Sequence, residues 1–190
     1  AEVKALCDII CTSGNAREVV DSIPQDQPIL FVPDMHLGGW LNEVTGREMI
    51  LWNGACQVHE LFSVDTLRAL QAEHPGCITI SHPECPKAVR DASDHVLGTA
   101  GMLRMVKQQE GQTFLVGTEG NMIYRLEREA PQNTYIPAPG ASCACNLCPF
   151  MALNTPEKLW ACLQERGPEV TVPAELFEPA RASLQRMLAL

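Results

Sequence analysis

Two cysteines, Cys56 and Cys148, close two halves of this chain that read alike, and that duplication restricts the fold more than any other feature. The first half runs CTSGN from Cys11, then a helical stretch, then ILFVPD to Asp34 and WNGAC to Cys56. The second runs GTAGM from Gly98, then a similar helix, then FLVGTE to Glu119 and PAPGASCACNLC to Cys148. Thr12 and Thr99, Val32 and Val116, and Cys56 and Cys148 hold nearly the same spacing. A unit repeated at near-constant spacing is one supersecondary module used more than once. A cysteine at the same place in each module implies that the modules meet at a common centre, and a multi-thiolate centre is a soft metal or iron–sulfur site.

The rest of the pattern is that of an α/β protein. Short apolar runs predict strands over Cys7–Cys11, Ile29–Val32, Glu48–Trp52, Cys77–Ser81, Val96–Leu97, Thr113–Val116 and Thr134–Ile136. Amphipathic stretches predict helices over Asn15–Ser22, His59–Ala72, Pro86–Ala92, Gly101–Gln109, Asn121–Glu129, Thr155–Glu165 and Pro173–Leu188. Continuous apolar strands alternating with helices are βαβ units, whose parallel sheets are covered on both faces. The expected architecture is therefore a repeated three-layer αβα sandwich. One module is expected over 1–56 with its start missing and a second over 57–148. Helices over 149–190 are expected to pack on a further module outside the chain. The helical pattern of AEVKAL starts at Ala1 without an initiator Met, so the chain reads as part of a longer protein.

The 190 residues carry a net charge of −9, which argues against nucleic acid as a partner, since that needs a clustered basic face. No apolar run approaches the ~18 residues of a membrane span, and no leader-like segment opens the chain. The expected location is cytoplasmic, with no membrane partner. Nine cysteines in a reducing compartment are more often metal or redox ligands than a disulfide framework.

Chemistry gathers where strands end. CTSGN, PDMHLGG, SHPECP, GTAG and GTEGN each follow an apolar run and precede a helix. Ligands of open parallel sheets bind beyond the carboxyl ends of the strands. Hydroxyls, glycine-exposed amides and helix N-termini there suit carboxylates or phosphates, although Ser, Thr and Asn at such places are also ordinary helix caps. His82 and Glu84 bracket Pro83 directly after a strand, making them the best acid–base candidates; the alternative is a solvated turn with a helix-capping Glu. His59 and Glu60 follow Cys56 within four residues. His36, His74 and His95 show no partner pattern and read as surface residues.

Cys143, Cys145 and Cys148 form a C-x-C-x2-C cluster followed by proline, as in many iron–sulfur motifs. Zinc favours paired C-x2-C knuckles, and only one such pair is present. Cys7, Cys77 and Cys162 lie in apolar patterns and read as core, while Cys11 and Cys85 remain ambiguous. Two other readings are a zinc- or iron–sulfur-stabilised binding module whose cysteines only hold domains together, and a thiol-redox protein using Cys145 and Cys148, although that C-x2-C does not follow a first strand as in thioredoxin-like proteins.

These residues match a family. WNGACQVHE over Trp52–Glu60 resembles the W-x-G-x-C-x-V-H-E segment of quinolinate synthases. CTSGNA from Cys11, HPEC from His82, TAGMLR from Thr99, GTEG from Gly117, CPFMALN from Cys148 and TPEKLW from Thr155 resemble that family in matching order. The resemblance covers the whole chain. It implies three αβα domains in pseudo-threefold arrangement, each giving one cysteine to a central [4Fe–4S] cluster. Cys56 and Cys148 match two of those ligands; the third would lie upstream of Ala1. It further implies condensation of iminoaspartate with dihydroxyacetone phosphate to quinolinate, a precursor of NAD, with one open iron as Lewis acid. Glu84, His82 and His59 would act on the substrate, and Ser13 and Thr99 would hold carboxylate or phosphate. An iminoaspartate-producing oxidase or dehydrogenase is the implied functional partner. One departure stands out: the family usually has Ser-Thr where this chain has Gly98-Thr99.

Overall fold

Six of the seven apolar runs become short parallel strands. The computed structural model describes residues 1–138 and 146–190, so Cys143 and Cys145 lie outside the described residues. Two compact units are distinguished: one combines Ala1–Pro24 with Pro149–Leu190, and the other runs from Gln25 to Cys148.

In the first unit, helix α1 (Glu2–Leu6) packs on the C-terminal helix α9 (Ala174–Leu188). The Ser183 hydroxyl, fully buried, donates to the Lys4 carbonyl at 2.9 Å and fastens the pair. Helix α2 (Ala16–Asp21) buries Ala16, Val19 and Val20. Helix α8 (Pro156–Glu165) starts at a Thr155 cap whose hydroxyl accepts the Lys158 N–H, with Pro156 in the first turn where its missing N–H costs nothing. The strand predicted over Cys7–Cys11 does not form. Those residues follow α1 in irregular backbone, and no strand among the described residues is there to pair with them.

The second unit holds both sheets. Strands β1 (Leu30–Phe31) and β2 (Ile50–Leu51) pair in parallel, Leu30 with Ile50 and Phe31 with Leu51. Strands β3 (Ile78–Ser81), β4 (His95–Val96), β5 (Thr113–Gly117) and β6 (Thr134–Pro137) form a parallel sheet in the order β4-β3-β5-β6. The repeat is visible in three dimensions. In each half, the strand ending in the acidic motif pairs with the strand that leads to the cysteine: β1 with β2, and β5 with β6. β5 is buried on both faces and carries the continuous apolar run Phe114–Val116, whereas β3 alternates Ile78 and Ile80 with the buried polar residues Thr79 and Ser81.

Helices flank these strands, giving the expected αβα arrangement. Helices α6 (Thr99–Lys107) and α7 (Asn121–Glu129) pack Met102, Val106, Met122 and Leu126 against Ile80, Phe114 and Val116. Helices α4 (Val64–Glu73) and α5 (Lys87–Asp91) contribute Leu67 and Val89 to a second apolar cluster, with Val58, Phe62, Cys85 and Ala138. Cys56 and Cys148 pack against that same cluster.

Three expectations change here. The helix predicted from His59 to Ala72 is interrupted: His59–Leu61 is a single 3₁₀ turn, Phe62 is extended and buried, and α4 starts only after Ser63. A helix not delimited in the sequence, α3 (Met35–Thr45), follows β1. Its N-cap Asp34 accepts the Leu37 N–H at 2.7 Å, and Gly46 ends it in the left-handed region at φ 70°. Gly38 lets the helix lie close to the strands, since a Cβ there would meet Leu51 at 2.6 Å and Phe31 at 2.9 Å. Finally, Cys162 is exposed on α8, and Cys7 and Cys77 are only half-buried.

Candidate active site

The site is built at the carboxyl ends of the strands in the second unit. The turn after β2 is held tightly against the end of β1. The Gly54 carbonyl accepts the Met35 N–H at 2.7 Å, and a Cβ on Gly54 would lie 2.5 Å from the Pro33 oxygen. Only glycine permits that approach. The turn delivers Cys56, whose backbone N–H donates to Asp34 Oδ2 at 2.8 Å. The 3₁₀ turn that follows carries His59 inward, where it is buried.

From the facing sheet comes the His82-Pro83-Glu84 turn. The His82 N–H donates to the Gly117 carbonyl at 2.9 Å, continuing the β3–β5 ladder by one residue. The proline then turns Glu84 toward His59. His59 Nδ1 lies 3.0 Å from Glu84 Oε2, and its Nε2 lies 3.0 Å from Thr118 Oγ1 at the end of β5. The His59 and His82 rings stack with centroids 4.4 Å apart. Arg90 braces the assembly from α5, donating to the carbonyls of His36 at 3.1 Å and Cys85 at 2.8 Å.

These contacts set the charges. Burial opposes a charge on His59, but hydrogen bonds and charges from Cys56 and Glu84 outweigh it and raise its pKa to about 9. His59 is then a cation donating from both ring nitrogens, to Glu84 and to Thr118. Burial drives His82 the other way, to about 4, and the neighbouring His59 adds to the effect. The Glu84 N–H donates to His82 Nδ1 at 3.3 Å, so the neutral ring carries its proton on Nε2. Burial works to raise Glu84, but its hydrogen bond to His59 and the two imidazoles hold it below the usual carboxylate range. The Cys56 thiol is lowered by its hydrogen bond to His59 despite burial, whereas burial pushes Cys85 up to about 12. Of these two cysteines, Cys56 is the one shifted toward the thiolate.

The donor atoms of Cys56, His59 and Glu84 lie within 4.8 Å of one another, close enough to hold a metal ion together. Cys56 and Glu84 also line a cleft of about 280 Å³ with Pro33, Asp34, Trp52, Gly54 and Ala55. A larger cavity of about 370 Å³, lined by residues 25–29 and 46–49, sits at the opposite ends of β1 and β2, away from these groups.

The structure thus joins Cys56, His59, His82 and Glu84, and sets Cys148 on the same apolar cluster as Cys56. Thr99 is exposed at the first residue of α6, where Gly98 provides no side-chain cap. Ser13 is half-buried in the first unit, in the turn before α2, where the Thr12 backbone N–H donates to Asn15 Oδ1 at 2.7 Å. Burial and the neighbouring Cys7 raise the Cys11 thiol above the ordinary range. Thr118 and Asp34 lay within the strand-end motifs GTEGN and PDMHLGG, but sequence reasoning assigned neither an individual role. It also placed His36 at the surface, yet that ring is largely covered and forms a short hydrogen bond to Glu60, beside His59. The signal available for His36 was its position two residues after the Asp34 cap, on the first turn of a helix that opens at a strand end.

Known proteins share this arrangement of sequence. The family model described as quinolinate synthetase A protein matches residues 1–189. A quinolinate synthase of a Synechococcus strain is 46% identical over 192 residues, covering 100% of this chain and 60% of that protein. One from a Synechocystis strain is 46% identical over 191 residues, with 100% and 60% covered, and one from a Cyanothece strain is 47% identical over 189 residues, with 99% and 59% covered. The chain therefore spans about 60% of the length of these curated relatives. With the match extending over nearly every residue, the chain belongs to the quinolinate synthetase A protein family.

Proposed function

We propose that the full-length protein is a quinolinate synthase that condenses iminoaspartate with dihydroxyacetone phosphate for NAD biosynthesis. The observation that carries this reading is the placement of Cys56 and Cys148 on one apolar cluster, with the Cys56 sulfur within 4.8 Å of the donor atoms of a hydrogen-bonded His59–Glu84 pair. The donor set fits an iron–sulfur group. Cys56 is a half-buried thiol with a lowered pKa, and Cys148 occupies the equivalent place in the second half. Cys56 and Cys148 would hold a [4Fe–4S] cluster with a third cysteine from the rest of the protein. The whole would comprise three αβα modules in pseudo-threefold arrangement, with modules over 1–56 and 57–148 and the 149–190 helices packing on the third. With three thiolates, such a cluster supplies one open iron as a Lewis acid for a carboxylate or hydroxyl.

The chain's own residues then divide the work. Neutral His82 presents its Nε2 proton to a carbonyl or anionic oxygen of the substrate. Glu84, ionised beside the His59 cation, takes protons from carbons next to imine or carbonyl groups as the ring closes. His59 orients Glu84 and is itself fixed by Thr118. Ser13 and Thr99 bind carboxylate or phosphate, with a neighbouring amide or water taking the place of the hydroxyl lost at Gly98. The protein acts in the cytoplasm. An oxidase or dehydrogenase that produces iminoaspartate is the functional partner. Among the described residues, no helix is long and apolar enough to cross a membrane.

A second reading keeps a metal but no catalysis. Cys56, His59 and Glu84 offer a sulfur, a nitrogen and an oxygen, a set that zinc also accepts. Anaerobic purification of the full-length protein separates the two. The enzyme reading predicts a brown, oxygen-bleached protein that forms quinolinate from the two substrates. A colourless zinc protein without quinolinate formation supports the binding module.

A further inference from the structure

Two buried carboxylates occupy the same place in the two halves. Asp34 lies just beyond β1 and Glu119 just beyond β5, and both are buried. Each divides its bonding in the same way. Asp34 accepts the Leu37 N–H of the following helix on Oδ1 at 2.7 Å and the Cys56 N–H on Oδ2 at 2.8 Å. Glu119 accepts the Asn121 N–H at the start of α7 on Oε2 at 2.9 Å, and the Cys148 N–H on Oε1 at 3.1 Å. The Asn121 side-chain amide adds a further donor at 2.9 Å.

We infer that Asp34 and Glu119 are positioning residues that fix the main chains of Cys56 and Cys148, so that both thiols face one cluster. The inference rests on the cluster reading of the preceding subsection. Helix capping alone does not explain the choice of residue. Serine, threonine or asparagine satisfies a helix N-terminus equally well with a single oxygen. A carboxylate is needed only where two sets of N–H donors converge, because it alone offers two acceptor oxygens and no donor. An amide of the same shape has one carbonyl oxygen, so either the helix N–H or the cysteine N–H must go without a partner. Buried donors left in that state are costly, and charge-assisted bonds of this kind are the stronger ones. The carboxylates also place negative charge against the main chains of Cys56 and Cys148.

The test uses the full-length protein, loaded with iron and sulfide anaerobically. Asp34→Ser keeps a helix cap but cannot reach the Cys56 N–H, and Glu119→Gln keeps the volume of the side chain. Both are expected to release iron to a chelator about tenfold faster than the wild type, the scale on which outer-shell partners act. Loss of a nearby negative charge is expected to raise the cluster's midpoint potential in both. Asn133→Ala, which removes the buried hydrogen bond to the Val106 carbonyl, serves as the stability control and should change neither. In the loaded wild type, the Cys56 and Cys148 amides should be protected from hydrogen exchange. Variant release rates within about twofold of wild type, equal loss in the Asn133→Ala control, or unprotected cysteine amides would each overturn the inference while leaving the cluster in place. A wild-type protein that takes up no iron overturns the cluster reading and this inference with it.

Discussion

His59 and His82 stack with ring centroids 4.4 Å apart and planes 10° from parallel, yet they hold opposite protonation states over the neutral range. The difference lies in their partners. His59 faces Cys56 and Glu84, which favour its cation. His82 accepts an N–H at Nδ1 and has a cation stacked on its face, so burial and repulsion keep it neutral.

That asymmetry predicts the pH dependence of the cluster-free protein. His82 has a folded pKa of about 4, below its ordinary 6.5, so between those values the unfolded chain binds more protons. Its contribution therefore weakens stability as pH falls from about 6.5 toward 4. His59 has a folded pKa of about 9, above 6.5, so its stabilising contribution is complete below 6.5 and is lost as pH rises toward 9. Denaturant midpoints measured across pH should show the acid limb flattened in His82→Asn and the alkaline limb flattened in His59→Asn. Unchanged limbs in these variants would contradict the assignment.

Glu84→Gln keeps size and hydrogen bonding but cannot take a proton at neutral pH. Quinolinate formation by the full-length variant should fall by about 10²–10⁴-fold, with iron content and melting temperature close to wild type. Near-normal turnover with an intact cluster would reduce Glu84 to a structural residue.

Gly54→Ala would place a methyl group 2.5 Å from the Pro33 oxygen. The turn must move, at a cost of about 1–3 kcal/mol, and Cys56 moves with it. Thermal unfolding should show the loss of stability, and cluster loading should fall alongside it. Full loading with unchanged stability would mean that the turn does not fix Cys56.

Much of the fold was legible because its buried strands and helix faces write themselves into the residue pattern. Thr113–Gly117 is an apolar run because both of its faces are covered, and α7 spans the residues expected of it. Helix α3 was not delimited because Gly38 and Gly39 weaken its propensity; its caps, and the room Gly38 leaves for Phe31 and Leu51, are tertiary facts. The break at Phe62 has a similar origin, since burying that ring in the apolar cluster outweighs helix continuity. In the site, His82 and Glu84 could be paired by their spacing around a proline. The contact between His59 and Glu84 spans 25 residues and exists only because the Cys56 turn and the β3 end converge. Thr118 lay in the strand-end motif GTEGN, but its partner was not legible there; only the folded chain shows it on His59 Nε2.

The central claim is that the two repeated cysteines are the ligands this chain gives to a shared cluster. Iron and sulfide should be counted in anaerobically prepared full-length protein carrying serine at Cys56, Cys148, Cys7 or Cys162. Replacing a thiolate by a harder oxygen should remove most iron and sulfide at Cys56 and at Cys148. Half-buried Cys7 and exposed Cys162 should tolerate serine with the cluster intact. Equal loss at all four positions, or full retention at Cys56 or Cys148, would contradict the account.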